Sequence, residues 1–179
     1  RRTFDGITPT YDLLNRILSF GVDRLWRRSA VAKMGPLGGR KALDVCAGTG
    51  DLSSALRKRG AWVASLDFSL PMLSKGAADG RTAVPVAADA SALPFRDGSF
   101  SALAIAFGIR NIPDLNVFLG EAARVLGPGG DFVVLELTRP EGVITRALYR
   151  LYLFGIIPLI GGIVSRRRVA YRYLSETIA

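Results

Sequence analysis

Two hydrophobic rhythms alternate along the middle of this chain. Short, nearly unbroken apolar runs occupy 42–46, 62–66, 83–88, 103–107 and 132–137, and helically spaced apolar positions fill 52–59, 71–78 and 117–126. Unbroken apolar runs suit strands covered on both faces, and their alternation with helices predicts an α/β fold with a doubly wound, mainly parallel sheet. Ser69 stands where a helix N-cap belongs, with Pro71 in the first turn.

The flanks differ from this core. Residues 1–36 read as helices, with Tyr11, Leu14, Ile17 and Leu18 on one face; Gly21 and Asp23 break the chain and restart it before Leu25, Trp26 and Val31. Residues 141–179 also read as helical, but Leu151, Phe154, Ile157 and their neighbours crowd every face. Two readings stand for this segment: a helix that buries itself on the sheet, or a lid over a greasy substrate or a membrane-surface patch. The uncharged stretch 151–165 contains Gly155, Pro158, Gly161 and Gly162, too short and too broken for the roughly 20 apolar residues of a bilayer span. The expected organisation is a single domain over 1–179: N-terminal helices (1–36), an α/β core (40–138) and a helical lid (141–179). No signal peptide is visible, so the expected location is the cytoplasm.

Composition narrows the chemistry. The 179 residues include one cysteine, Cys46, and no histidine. A disulfide framework, CxxC redox chemistry, His-based triads and HExxH metal sites are thereby excluded, and no metal is expected. A net charge of +9 suits an acidic partner such as nucleic acid, anionic lipid or a carboxylated ligand, or simply a solvated basic surface. Arg166, Arg167 and Arg168 form the one basic triplet.

The candidate site begins after the first apolar run, where Asp44, Gly48, Thr49 and Gly50 lie in the stretch 43–51 that opens a helix. Glycines there permit a sharp turn and close approach of a ligand to the main chain, and helix-start N–H groups attract anions. A lone GxG is weak evidence, but the second run ends in Asp67, 19 residues after Gly48, where an acid receives ribose hydroxyls. Both NAD and S-adenosylmethionine use that arrangement. The third glycine of a dinucleotide pattern is replaced by Ser53, whereas Asp89 and Ala90 follow the third run ahead of Leu93, Pro94 and Phe95. A carboxylate for an adenine amino group, with apolar neighbours to sandwich the ring, points to S-adenosylmethionine. Either acid alone is equally a turn or capping residue.

The stretch 11–26 carries Tyr11, Asp12, Asn15, Ser19 and Trp26, and 124–138 runs from Arg124 through Gly129 and Gly130 to Glu136. With Phe107-Gly108-Ile109-Arg110-Asn111 and the 171–176 helix, the chain resembles the ubiquinone/menaquinone biosynthesis C-methyltransferase family, class I S-adenosylmethionine-dependent enzymes with a Rossmann-like fold. It departs from the family's pattern at Leu14 (usually Met), Asp23 (His), Gly127 (Lys), Thr138 (Ser) and Ala106 (Ser). Ala106 is expected beside the cofactor, serving through its backbone. The family carries a further helix and two strands after the last motif, so the sheet is expected to have five strands, without the usual terminal ones.

The resemblance implies methyl transfer to a ring carbon of a prenylated quinol, beside a phenolic hydroxyl. Arg110 is then a phenolate stabiliser or water-organiser, since arginine stays protonated, or else a structural partner of Asp114. Tyr11 joins a water chain, Asn111 is a further catalytic candidate, and Asp12 orients the phenol or caps its helix. Trp26 is expected in the core, and Cys46 is expected to be a small apolar residue without redox function. The loop Val45-Cys46-Ala47 favours demethylmenaquinol over the ubiquinone precursor. Implied partners are the quinol and, peripherally, an anionic membrane surface, with a homo-oligomer left open. Another apolar substrate and a non-catalytic cofactor-binding subunit are the remaining alternatives. Nucleic acid is disfavoured, because 107–110 lacks the Asn/Asp-Pro-Pro-aromatic grip for a base and no stacking aromatics interleave with the basic residues.

Overall fold

The computed structural model describes residues 21–138 together with 12, 16, 19, 141, 142, 145 and 146. Tyr11, the proposed lid from 147 onward, the Arg166–Arg168 triplet and the 171–176 motif lie outside the described residues. The chain divides into two compact units, Arg24–Glu136 and a unit made from its two ends.

In the unit of the ends, Gly21 takes a φ of 75°, and the hydroxyl of Ser19 donates to the Asp23 carboxylate at 2.9 Å. The chain breaks and restarts there as its sequence predicts. Helix α1 (Asp23–Ala32) follows, then β1 (Lys41–Val45), α2 (Asp51–Arg57), β2 (Trp62–Asp67), α3 (Leu70–Ala78), β3 (Val84–Ala87), β4 (Phe100–Ala106), α4 (Leu115–Val125) and β5 (Leu126–Leu135). All strand pairings are parallel, in the order β3-β2-β1-β4-β5. Among the described residues the sheet has five strands, the expected number. Ser69 caps α3 by accepting from the Met72 N–H, and Asp114 caps α4 by accepting from Val117.

Side chains alternate across a strand, and the core divides accordingly. Leu43, Val45, Leu66, Leu103 and Ile105 pack on one face with Phe118, Ala122 and Val125 of α4. Ala42, Val63, Ala102 and Ala104 pack on the other with Leu52 and Leu56 of α2 and with Val31, Met34 and Leu37. That second face also carries Asp44 and Ser65, both fully buried. The apolar runs read as continuous because both sides of each inner strand are covered.

One boundary shifts. Leu126, expected in the helix, opens β5 instead, pairing with Phe100 across an irregularity that precedes the Ala102–Asp131 pair. Gly129, at φ 69°, lets the strand turn there, a conformation that side-chain-bearing residues resist. Among the described residues no helix is long and apolar enough to cross a membrane.

Candidate active site

The strand order reverses between β1 and β4: the chain winds outward through β2 and β3, then crosses back to β4 and β5. In open α/β sheets the crevice at the carboxyl ends of such a pair of strands is where ligands sit. The candidate residues after β1, β2, β3 and β4 all belong to that edge.

After β1 the backbone turns hard. Cys46 has φ 57°, Gly48 56° and Gly50 84°, and the Gly50 N–H donates to the Ala47 carbonyl at 2.9 Å. Gly50 has no room for a side chain, since a Cβ would lie 2.5 Å from the Thr82 methyl, whereas a Cβ on Gly48 would meet open space. The Gly48 N–H donates to Asp67 Oδ2 at 2.8 Å, and Ser69 N–H donates to Oδ1 at 2.8 Å. Asp67 therefore ties the glycine turn to the end of β2. Asp89 is exposed and accepts from the Ser91 N–H at 2.8 Å, a turn bond that engages one oxygen; Ala90 beside it is buried. The apolar residues expected to flank an adenine ring have another use. Leu93 belongs to the core, and Phe95 meets Phe100 edge-on at 4.8 Å. Arg124 holds this loop by donating to the Leu93 and Phe95 carbonyls.

The loops after β1 and β4 touch. Gly108 packs so closely that a Cβ would overlap that of Cys46, and the residue between Ala106 and Gly108, Phe107, also takes a positive φ of 58°. Cys46 and Phe107 are the described non-glycine residues in this region of backbone space, and they flank the switch point. Strain of that kind, about 1–3 kcal/mol each, persists only where surroundings enforce it. Phe107 is held by its N–H bond to Leu135 O at 2.8 Å and by Trp26, whose ring lies 6.2 Å away edge-on. Trp26 is 39% exposed, so the expectation of a core position is corrected: it covers Phe107 from the surface.

Arg110 follows in a short 3-10 turn, Ile109–Asn111. Its ion-pair partner is Glu136, just past β5, and not Asp114, which is occupied as the α4 cap. Both members of the pair are largely shielded from solvent, and the Arg110 Nε–H has no hydrogen-bond partner among the described residues. Asn111 is exposed. Asp12 is described as helical, in the unit of the ends.

The sequence candidate Asp44 is joined here by four residues that sequence reasoning passed over as site residues: Ser53, Ser65, Glu136 and Arg27. Asp44 is 1% exposed; its Oδ2 accepts from the Ser53 hydroxyl at 2.5 Å, and Ser53 shares a 2.7 Å bond with Ser65. Burial pushes the Asp44 carboxyl up from 3.8 to about 7, against the opposing pull of the Ser53 bond and the Arg27 charge. Ser53, noted only as the missing third glycine, is thus a buried hydrogen-bond donor. Glu136 lay within a quoted motif, and Arg27 in a basic pair. Only the position of Ser53 carried a legible signal. Cys46 feels the whole ring: burial, then Asp67, Asp44, Asp89 and Glu136, push its thiol up to about 12. The thiol is thereby held in its protonated form at neutral pH.

The ubiE/COQ5 methyltransferase family profile matches residues 1–179. The chain belongs to that family. It is 46% identical to the demethylmenaquinone methyltransferase of Thermus thermophilus, over 98% of this chain and 82% of that protein. The demethylmenaquinone methyltransferase of Mycolicibacterium paratuberculosis is 43% identical over 98% of this chain and 75% of its own length. In fold it is similar to an S-adenosylmethionine-dependent methyltransferase from Thermotoga maritima, with a TM-score of 0.67 and 23% identity over 84% of this chain and 67% of that one. As a member of this methyltransferase family, the chain is an enzyme that takes its methyl group from S-adenosylmethionine. The residues present fit that cofactor: the turn is open at Gly48, and the carboxylates converging on Cys46 suit a sulfonium cation.

Two outcomes follow from this packing. Gly108→Ala should destabilise the fold by about 1–3 kcal/mol through overpacking, and Cys46→Gly in the same chain should recover most of the loss; additive losses in urea unfolding would show that the two positions do not collide. Asp44 holds its proton more tightly folded than unfolded, so stability should fall as pH rises from about 4 to about 7. Asp44→Asn should remove that slope in unfolding curves taken across the range; an unchanged slope would assign it to another group.

Proposed function

We propose that the enzyme methylates a ring carbon of a prenylated quinol, demethylmenaquinol in the first place. The observation that carries this reading is the likeness, along 98% of the chain, to relatives named demethylmenaquinone methyltransferase. The site chemistry agrees with it. S-adenosylmethionine supplies, when bound, an electrophilic methyl group on a sulfonium centre. Gly48, Thr49 and Gly50 form the turn against which it rests, Asp67 accepts from the ribose hydroxyls, and Asp89 with Ala90 receives the adenine. Its bonds to Gly48 and Ser69 hold the Asp67 carboxylate in place at the end of β2. Ala106 borders the site from the end of β4, and Asp44 supports the turn from beneath.

Methyl transfer is chiefly positioning, which can supply on the order of 7–11 kcal/mol. The ring carbon becomes nucleophilic when the neighbouring phenol loses its proton. Arg110 is the group that stabilises the resulting phenolate, through an Nε–H left without a partner among the described residues. Proton transfer from the phenol to Glu136 leaves one anion beside the guanidinium before and after the step, so no unpaired charge is created in the shielded site. Tyr11 and Asn111 are assigned to orienting the phenol. The basic, apolar sequence of 147–168 supports peripheral contact with an anionic membrane, where a prenylated quinol resides.

The reading is tested by incubating the full chain with labelled S-adenosylmethionine and short-tailed quinols, with products identified by mass spectrometry. Methylated menaquinol is expected; methylation of the ubiquinone precursor alone would move the substrate, and methylation of no quinol would overturn the reading. Asp67→Ala should weaken cofactor binding by about 1–3 kcal/mol in calorimetry. Arg110→Ala should lower turnover at least about ten-fold with cofactor affinity held within about three-fold, because its interaction strengthens in the transition state; equal losses in both would make the Glu136 pair structural. Sedimentation with vesicles of graded negative charge should show salt-sensitive binding that weakens when Arg166, Arg167 and Arg168 are all replaced by Ala. Equal binding by both proteins would remove the basic cluster from the membrane contact.

A further inference from the structure

The carboxyl edge of the sheet holds one cation that no step above uses. Among the described residues Arg27 is the one buried basic side chain, 9% exposed. It lies on α1 one helical turn before Val31, which packs into the second-face core, so both residues look toward the sheet. Its guanidinium sits 5.0 Å from the centre of the Phe107 ring, directly after β4. It also acts electrostatically on Asp44, near the end of β1. The charge therefore stands beside the carboxyl end of β4 and within electrostatic reach of Asp44 in β1, the two strands that bound the switch point.

The cofactor, once fitted to this edge, leaves one end unassigned. Adenine falls at Asp89 after β3 and ribose at Asp67 after β2, so the amino-acid end of the molecule reaches the neighbourhood of β1 and β4. That end carries an α-ammonium and an α-carboxylate. Asp44, Asp67, Asp89 and Glu136 all act on the thiol at this point, and such a ring favours an ammonium while repelling a carboxylate. A carboxylate can settle there only against a fixed positive charge. Arginine remains charged when buried and offers a planar fork of donors matched to a carboxylate. We propose that Arg27 binds the α-carboxylate of S-adenosylmethionine. The Phe107 ring beneath the guanidinium, itself held by Trp26 and by the Leu135 carbonyl, keeps that fork in position.

This inference rests on the cofactor assignment and is tested by binding alone. The full chain is titrated calorimetrically with S-adenosylmethionine and with decarboxylated S-adenosylmethionine, which lacks only the carboxylate. Wild type should prefer the carboxylated form by at least about ten-fold. Arg27→Gln should lose about ten-fold or more toward S-adenosylmethionine and less than about three-fold toward the decarboxylated analogue, so that the preference collapses. Arg27→Lys, which keeps the charge without the fork, should fall between the two. A variant that weakens both ligands equally, or that keeps the wild-type preference, would overturn the proposal. Equal affinity of wild type for the two ligands would overturn it without any variant, and binding of neither would remove the cofactor assignment with it.

Discussion

A buried carboxylate beneath the glycine turn organises the carboxyl edge of this sheet. Asp44 has almost no solvent to turn to, so its polar oxygens must be met by the protein. Ser53 meets it from the first turn of α2, Ser65 extends the bond to β2 through Ser53, and Arg27 approaches from α1. Three elements, α1, α2 and β2, thus supply groups to the surroundings of one carboxyl. The loop whose amide holds Asp67 is fixed from below by that convergence, as well as from the side by Asp67 itself.

Much of this was legible beforehand, and the reasons are specific. The apolar runs of β1, β2 and β4 followed from burial on two faces, and the caps at Ser69 and the break at Gly21 followed from local chemistry. The positions of Asp67 and Asp89 followed from the spacing of strands, which fixes what stands at a strand's end. Pairings across the sheet were another matter. Nothing local distinguishes Asp114 from Glu136 as the partner of Arg110, because their positions are set by the parallel register of β4 and β5. Trp26 read as core because aromatic size favours burial; its actual place depends on Phe107, brought to it only by the crossover to β4. The start of β5 was missed because helix and strand meet at Leu126 with no intervening loop.

The absence of histidine gives the Arg110–Glu136 pair its interest. Arginine and glutamate are poor acid–base catalysts in water, since neither titrates near neutrality. In the mechanism proposed above, their pairing lets charge pass between counter-ions without an unpaired charge being created. Such a pair is costly to assemble by desolvation alone, and the fold offsets that cost by drawing the two residues from adjacent strand ends, where the backbone already fixes their separation.

Cys46 has a consequence of a different kind. Oxidised quinones are Michael acceptors, and the group that attacks them is a thiolate. Raising the thiol from 9.0 to about 12 lowers its thiolate fraction about a thousandfold at neutral pH. The acids that suit the site to a cation therefore also passivate its only sulfur nucleophile. With the substrate proposed here, a cysteine can stand beside a quinone-handling site with little thiolate available for alkylation.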